Sequence, residues 1–206
     1  MLPPTARRFS LASSLASGLA VLAAAIVVTA STGCGIPVSE QAVPTACPAA
    51  SNEPNDSEET AEDLGELSDE PSSGRVITSS VHTSIDRDWY RVHVADRGLG
   101  GNPEVSVLVS SGFEVTTWFV CGDRHTATSE CSHGSSDYAR VGGVEGCRGN
   151  ALEGPSGEID VSADTMASST TDCSGTSSDD GDLYIRVERT ASAGSVCTYD
   201  LSIRVK

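Results

Sequence analysis

From residue 75 onward the chain repeatedly alternates apolar and polar residues with a period of two. In "YDLSIRV" (199–205), Tyr199, Leu201, Ile203 and Val205 fall on one face of an extended segment. Asp200, Ser202 and Arg204, followed by Lys206, fall on the other, which is the signature of a half-buried strand. The runs at 75–82, 89–95, 104–110, 114–121, 158–163 and 183–188 either alternate in the same way or are rich in β-branched residues. Clusters of Gly, Ser and Asn separate most of them, and no long stretch beyond the N-terminal apolar segment shows a helical repeat. About eight short strands at this spacing predict an all-β fold, an antiparallel sandwich of the jelly-roll type. "DCSGTSSDDGD" (172–182) reads as a long polar loop ended by a turn, and "YARVGGVEGCRGN" (138–150) as a connection with room for one further strand.

The N-terminal segment belongs to a different class. Arg7 and Arg8 precede "LASSLASGLAVLAAAIVVTA", which ends in small residues, the layout of an export signal over 1–33. Its length also suits a retained membrane anchor. Cys34 within "STGCG" resembles the lipobox cysteine of bacterial lipoproteins, which is lipidated after cleavage in front of it; Ser31 departs from the large aliphatic residue usual there. Gly35, rather than an aspartate, follows the cysteine, and by that resemblance implies sorting to the outer membrane. Residues 34–51, rich in Pro, Ala, Ser and Thr, read as a flexible tether, and 52–206 as the folded domain.

Composition narrows the chemistry. Net charge is −16 for the whole chain and falls by two, to −18, once Arg7 and Arg8 are removed. Such a surface repels nucleic acid and anionic headgroups and attracts cations. Apart from Cys34 there are six cysteines, Cys47, Cys121, Cys131, Cys147, Cys173 and Cys197, an even number in a chain that leaves the cytosol. They predict three disulfides. The short polar stretch between Cys121 and Cys131 suggests that these two pair across a hairpin, and the other pairings stay open.

"NEPNDS" (52–57), "DRDWYRVHV" (86–94), "GDLYIRV" (181–187) and "YDLSIRV" (199–205) together resemble the successive signatures of bacterial pre-peptidase C-terminal domains, a family that includes the collagen-binding domains of clostridial collagenases. The resemblance spans roughly residues 50–206 and lapses between 122 and 157. It implies a β-sandwich module and a structural calcium ion held by Glu53, Asn55, Asp56 and Asp88. Another family ligand falls at Ile85, with Asp86 next to it as a substitute. The residues alone also allow a plainer reading, in which Asp86 and Asp88 cap a turn and Glu53 to Asp56 is solvated linker.

Other constellations are weaker. Cys121, His125, Cys131 and His133 are zinc-competent, but their spacing fits no paired-ligand pattern and an oxidising compartment favours disulfides. No nucleophile elbow, zinc-protease helix, phosphate loop or dinucleotide fingerprint is present. His93 alternates with Val92 and Val94 and should face solvent. Asp179, Asp180 and Asp182 read as turn chemistry. Trp118 and Tyr184 are the candidate binding aromatics, Trp118 being the one expected to pack in the core. The expectation is a non-catalytic cell-envelope lipoprotein whose sandwich binds or displays at the surface, with the membrane and an extracellular protein or polysaccharide as partners and no nucleic acid. A purely structural envelope protein and, further off, a hydrolase with an unrecognised site are the alternatives.

Overall fold

Branched aliphatic side chains at every second position force extended backbone here, and the structure closes two sheets over them. The computed structural model describes residues 47–98, 101–122, 126–152, 163–175 and 178–206. The signal segment, Cys34, most of the tether, His125 and nearly all of the strand expected at 158–163 lie outside the described residues.

Twelve strands are described: β1 (Glu62–Ser68), β2 (Ser73–Ser80), β3 (Arg87–Ala95), β4 (Glu104–Val109), β5 (Phe113–Cys121), β6 (Ala127–His133), β7 (Ser135–Val141), β8 (Val144–Arg148), β9 (Asn150–Ala151), β10 (Thr165–Cys173), β11 (Gly181–Arg189) and β12 (Thr198–Val205). One sheet runs β1-β3-β11-β5-β8-β7, the other β2-β12-β4-β10-β6, with β9 paired to β10. The chain changes sheet at most steps, as a jelly roll does. The pairing is antiparallel throughout except for β1 beside β3, which is parallel. The all-β, disulfide-linked sandwich expected from the strand pattern is therefore the observed architecture.

The core lies between the sheets. Val92 and Val94 of β3, Leu183, Ile185 and Val187 of β11 and Val115 of β5 face Val105, Val107 and Val109 of β4 and Leu201, Ile203 and Val205 of β12. Burying each such side chain contributes about 1.5 to 3 kcal/mol. A second, smaller cluster sits on the outer face of the first sheet, where Trp89 and Trp118 stack at 5.2 Å beside Val141. The β7–β8 hairpin covers it. Gly142 and Gly143, both at positive φ, make the two-residue turn that brings Val141 opposite Val144.

Three disulfides join Cys47 to Cys197, Cys121 to Cys173 and Cys131 to Cys147. The expected Cys121–Cys131 link is thus wrong. Residues 127–133 are not the return arm of a local hairpin from β5; they form β6 in the opposite sheet, and Cys121 points into the core toward β10. The tether boundary at 51 also shifts, because Cys47 is buried in its disulfide and the Pro48 carbonyl accepts a hydrogen bond from Ser80 Oγ at 2.9 Å.

Candidate metal centre

At one end of the sandwich three pieces of chain meet: residues 52–57 ahead of the 3-10 turn Glu58–Thr60, the loop from β2 to β3, and the first residues of β3. The segment 52–57 is short of apolar side chains and docks through backbone-like pairing. Trp89 N donates to the Asn55 carbonyl at 2.8 Å, and Asn55 Nδ2 donates to the Trp89 carbonyl at 3.3 Å. This clamp leaves Asn55 fully buried and fixes its amide oxygen.

Asp88 takes the inward face of β3, in step with Tyr90, Val92 and Val94. It is fully buried at the end of the core, where Tyr199 Oη donates to its Oδ2 and Ser79 Oγ and Tyr90 Oη approach the same oxygen at 3.5 Å. Burial pushes its pKa up to about 6, with the Asp86 and Glu53 charges adding to the rise and the Tyr199 and Tyr90 hydrogen bonds opposing it. Tyr90 and Tyr199 share a hydrogen bond at 2.5 Å, and burial raises both phenols, Tyr90 to about 12.

Asp86 is buried while Ile85 beside it is 86% exposed. The loop therefore turns Ile85 outward and Asp86 inward. Asp86 Oδ2 accepts from the His82 backbone N–H at 2.8 Å and lies 2.6 Å from His82 Nδ1. Glu53 Oε1 lies 3.0 Å from the same nitrogen, and Glu53 Oε2 accepts from Asn55 N at 3.3 Å. Asp56, exposed at the rim, has its pKa raised first by a hydrogen bond shared with Asp86, then by burial and by the Glu53 and Asp86 charges, with His82 opposing. Like charges crowded into one corner favour keeping a proton between them.

Three buried oxygens here have no hydrogen-bonding partner: Asn55 Oδ1, Asp86 Oδ1 and Asp88 Oδ1. Buried polar atoms are normally satisfied, and an unmet acceptor costs about 1 to 3 kcal/mol. A cation in this corner is one way to meet such acceptors. The set of four carboxylates and one amide fits Ca²⁺, which takes six to eight oxygens. The tightest group here is Glu53, His82 and Asp86, whose ligand-capable atoms lie within 4.8 Å of one another; Asn55, Asp56 and Asp88 border it, and of the four residues the resemblance implied only Glu53 is in it. Nothing in the sequence reading marked His82. Its only signal was position, four residues before Asp86 in the loop leading to β3.

The remaining candidates fall elsewhere. The zinc reading around Cys121 and Cys131 fails, because each cysteine is committed to a different disulfide. Trp118 is only 1% exposed, and its Nε1 donates to the Ala139 carbonyl at 2.9 Å, so it offers no face to a ligand. Tyr184 lies on the outer face of β11, partly buried against the Trp89–Trp118 cluster. His93 is exposed beside Asp182 at 3.2 Å. Asp179 and Asp180 hold turns, accepting from Cys173 N and Asp96 N, both at 2.7 Å. No protein-family model matches this chain, and no curated protein matches it.

Proposed function

We propose that this is a non-catalytic surface module of a cell-envelope lipoprotein, a divergent relative of the pre-peptidase C-terminal domains, whose N-terminal corner is locked by a calcium ion. The observation that carries the reading is that three buried oxygens, Asn55 Oδ1, Asp86 Oδ1 and Asp88 Oδ1, lack partners at the end of the sandwich where Glu53 and Asp86 carboxylates crowd within 4.8 Å of each other and of His82. In the bound state these residues would hold the ion, which supplies positive charge to a corner crowded with carboxylates.

The consequence is mechanical. Residues 52–57 pack through few apolar contacts, so a cation bridging Asn55 to Asp86 and Asp88 ties the entry of the domain to β3. For a module hung by lipid at Cys34 on the outer membrane, this brace would lie just after Cys47, where the disulfide to Cys197 first ties the tether to the fold. The two sheets then display their faces to an extracellular protein or polysaccharide.

A structural envelope protein without soluble ligand is the second reading. It is favoured by His82, whose Nδ1 already lies 3.0 Å from Glu53 and 2.6 Å from Asp86 and partners both carboxylates. Thermal melts of the oxidised chain with calcium and with chelator separate the two. Calcium at one hundred times its Kd adds about 2.7 kcal/mol, and in the calcium reading this response disappears in Asp88→Asn. An identical melt in calcium and in chelator favours the second.

A further inference from the structure

We infer that the same corner holds a second, nitrogen-ligated site for a transition-metal ion of the zinc type, built from Glu53, His82 and Asp86. The inference rests on reading the corner as a cation site and assigns what His82 does there.

The ligand-capable atoms of Glu53, His82 and Asp86 lie within 4.8 Å of one another. Each carboxylate divides its oxygens between two directions. Asp86 turns Oδ2 to His82 Nδ1 and leaves Oδ1 unpartnered; Glu53 turns Oε1 to His82 and Oε2 to Asn55 N. The unpartnered Oδ1 atoms of Asn55, Asp86 and Asp88 are all oxygens, whereas Oε1 of Glu53, Nδ1 of His82 and Oδ2 of Asp86 form a close mixed set. Asp86 belongs to both and can bridge two ions.

The two sets suit different metals. Calcium is a hard cation that gains little from imidazole, whereas zinc favours imidazole nitrogen with carboxylate oxygen and accepts three protein ligands plus water. Asp86 is held in place, buried, by the His82 backbone N–H at 2.8 Å. Glu53 and His82 are partly exposed, with side chains 16% and 33% accessible, so a hydrated ion can reach the mixed set without opening the core. Competing thiolates are absent among the described residues, since all six of their cysteines are in disulfides.

The test is calorimetric titration of zinc chloride into the oxidised full chain already saturated with calcium, with zinc-edge X-ray absorption as the second readout. The expected result is one zinc per chain with a nitrogen scatterer at about 2.0 to 2.1 Å, and zinc affinity reduced at least about tenfold in His82→Gln while the variant still binds calcium. Should His82→Gln lose its native circular dichroism, His82→Asn takes its place. Calcium binding without zinc binding, or zinc binding indifferent to His82, overturns the inference and leaves the calcium reading intact. Failure of both metals to bind removes both.

Discussion

Tyr199 of β12 donates a hydrogen bond to Asp88 of β3, 111 residues earlier in the chain, so one buried pair joins the two sheets at the end of the core. Removing the donor leaves a buried carboxylate less satisfied. Tyr199→Phe should lose about 1 to 3 kcal/mol in chemical denaturation. Because that bond lowers the Asp88 pKa, the variant should also titrate Asp88 at higher pH, read by carboxyl-carbon NMR. An unchanged Asp88 titration would mean that the hydroxyl does not serve the carboxylate.

The pH dependence of the metal-free protein follows from the same residue. Asp88 has a folded pKa of about 6 against an ordinary value of 3.8, so folding disfavours its charged form. Its contribution to stability is therefore fully present below pH 3.8 and is lost as pH rises through about 6. In chelator, the wild-type chain should gain stability relative to Asp88→Asn on acidification from pH 7 to pH 4, and calcium should bind more weakly below pH 6. Asp63 and Asp69, whose pKa values are lowered, act oppositely, losing their contribution only below 3.8.

Arg186 lies over both tryptophans, its guanidinium carbon 5.0 Å from the Trp118 ring centre and 5.7 Å from that of Trp89, and it pairs with Glu188 at 2.9 Å. Arg186→Ala should cost about 1 to 2 kcal/mol and shift the tryptophan emission as water reaches the stacked rings. Arg186→Lys should not restore it, because an ammonium cannot stack as a flat guanidinium does.

The disulfides should differ in worth. Loop-closure entropy assigns about 3 kcal/mol to Cys131–Cys147, with a separation of 16, and about 4 kcal/mol to Cys121–Cys173, with a separation of 52. Paired Cys→Ser variants measured by denaturation should fall in that order, and peptide mapping of the oxidised chain should recover these pairs.

The strands written in large aliphatics, β3, β4, β5, β11 and β12, were legible because burial and alternation coincide there. β1 does not show in the pattern of strands: it buries little more than Leu64 and Leu67, and an irregularity in its pairing between Asp63 and Glu66 breaks the period of two. β10 is hidden from the pattern because its buried positions include Ser168, Ser169 and Thr171, made tolerable by hydroxyl pairs such as Ser129–Thr171 at 2.9 Å and Ser106–Ser168 at 3.1 Å. The glycines of 142–149 looked like loop. Gly146 instead lies where a Cβ would come 2.5 Å from Trp118 Nε1, so β8 can pack on β5 only without a side chain there. Gly146→Ala should cost about 1 to 3 kcal/mol. For the site, Asp86 and Asp88 are visible beside the aromatic pair, whereas His82 needs the turn that only the folded loop supplies.

The most direct measurement is a calorimetric calcium titration of the oxidised chain beside Asn55→Leu, a variant that removes one buried ligand oxygen and no charge. The calcium reading predicts one calcium per chain in the wild type and binding weakened at least about tenfold in the variant. No heat at millimolar calcium, or equal binding by both proteins, would contradict the claim that these unpartnered oxygens hold an ion.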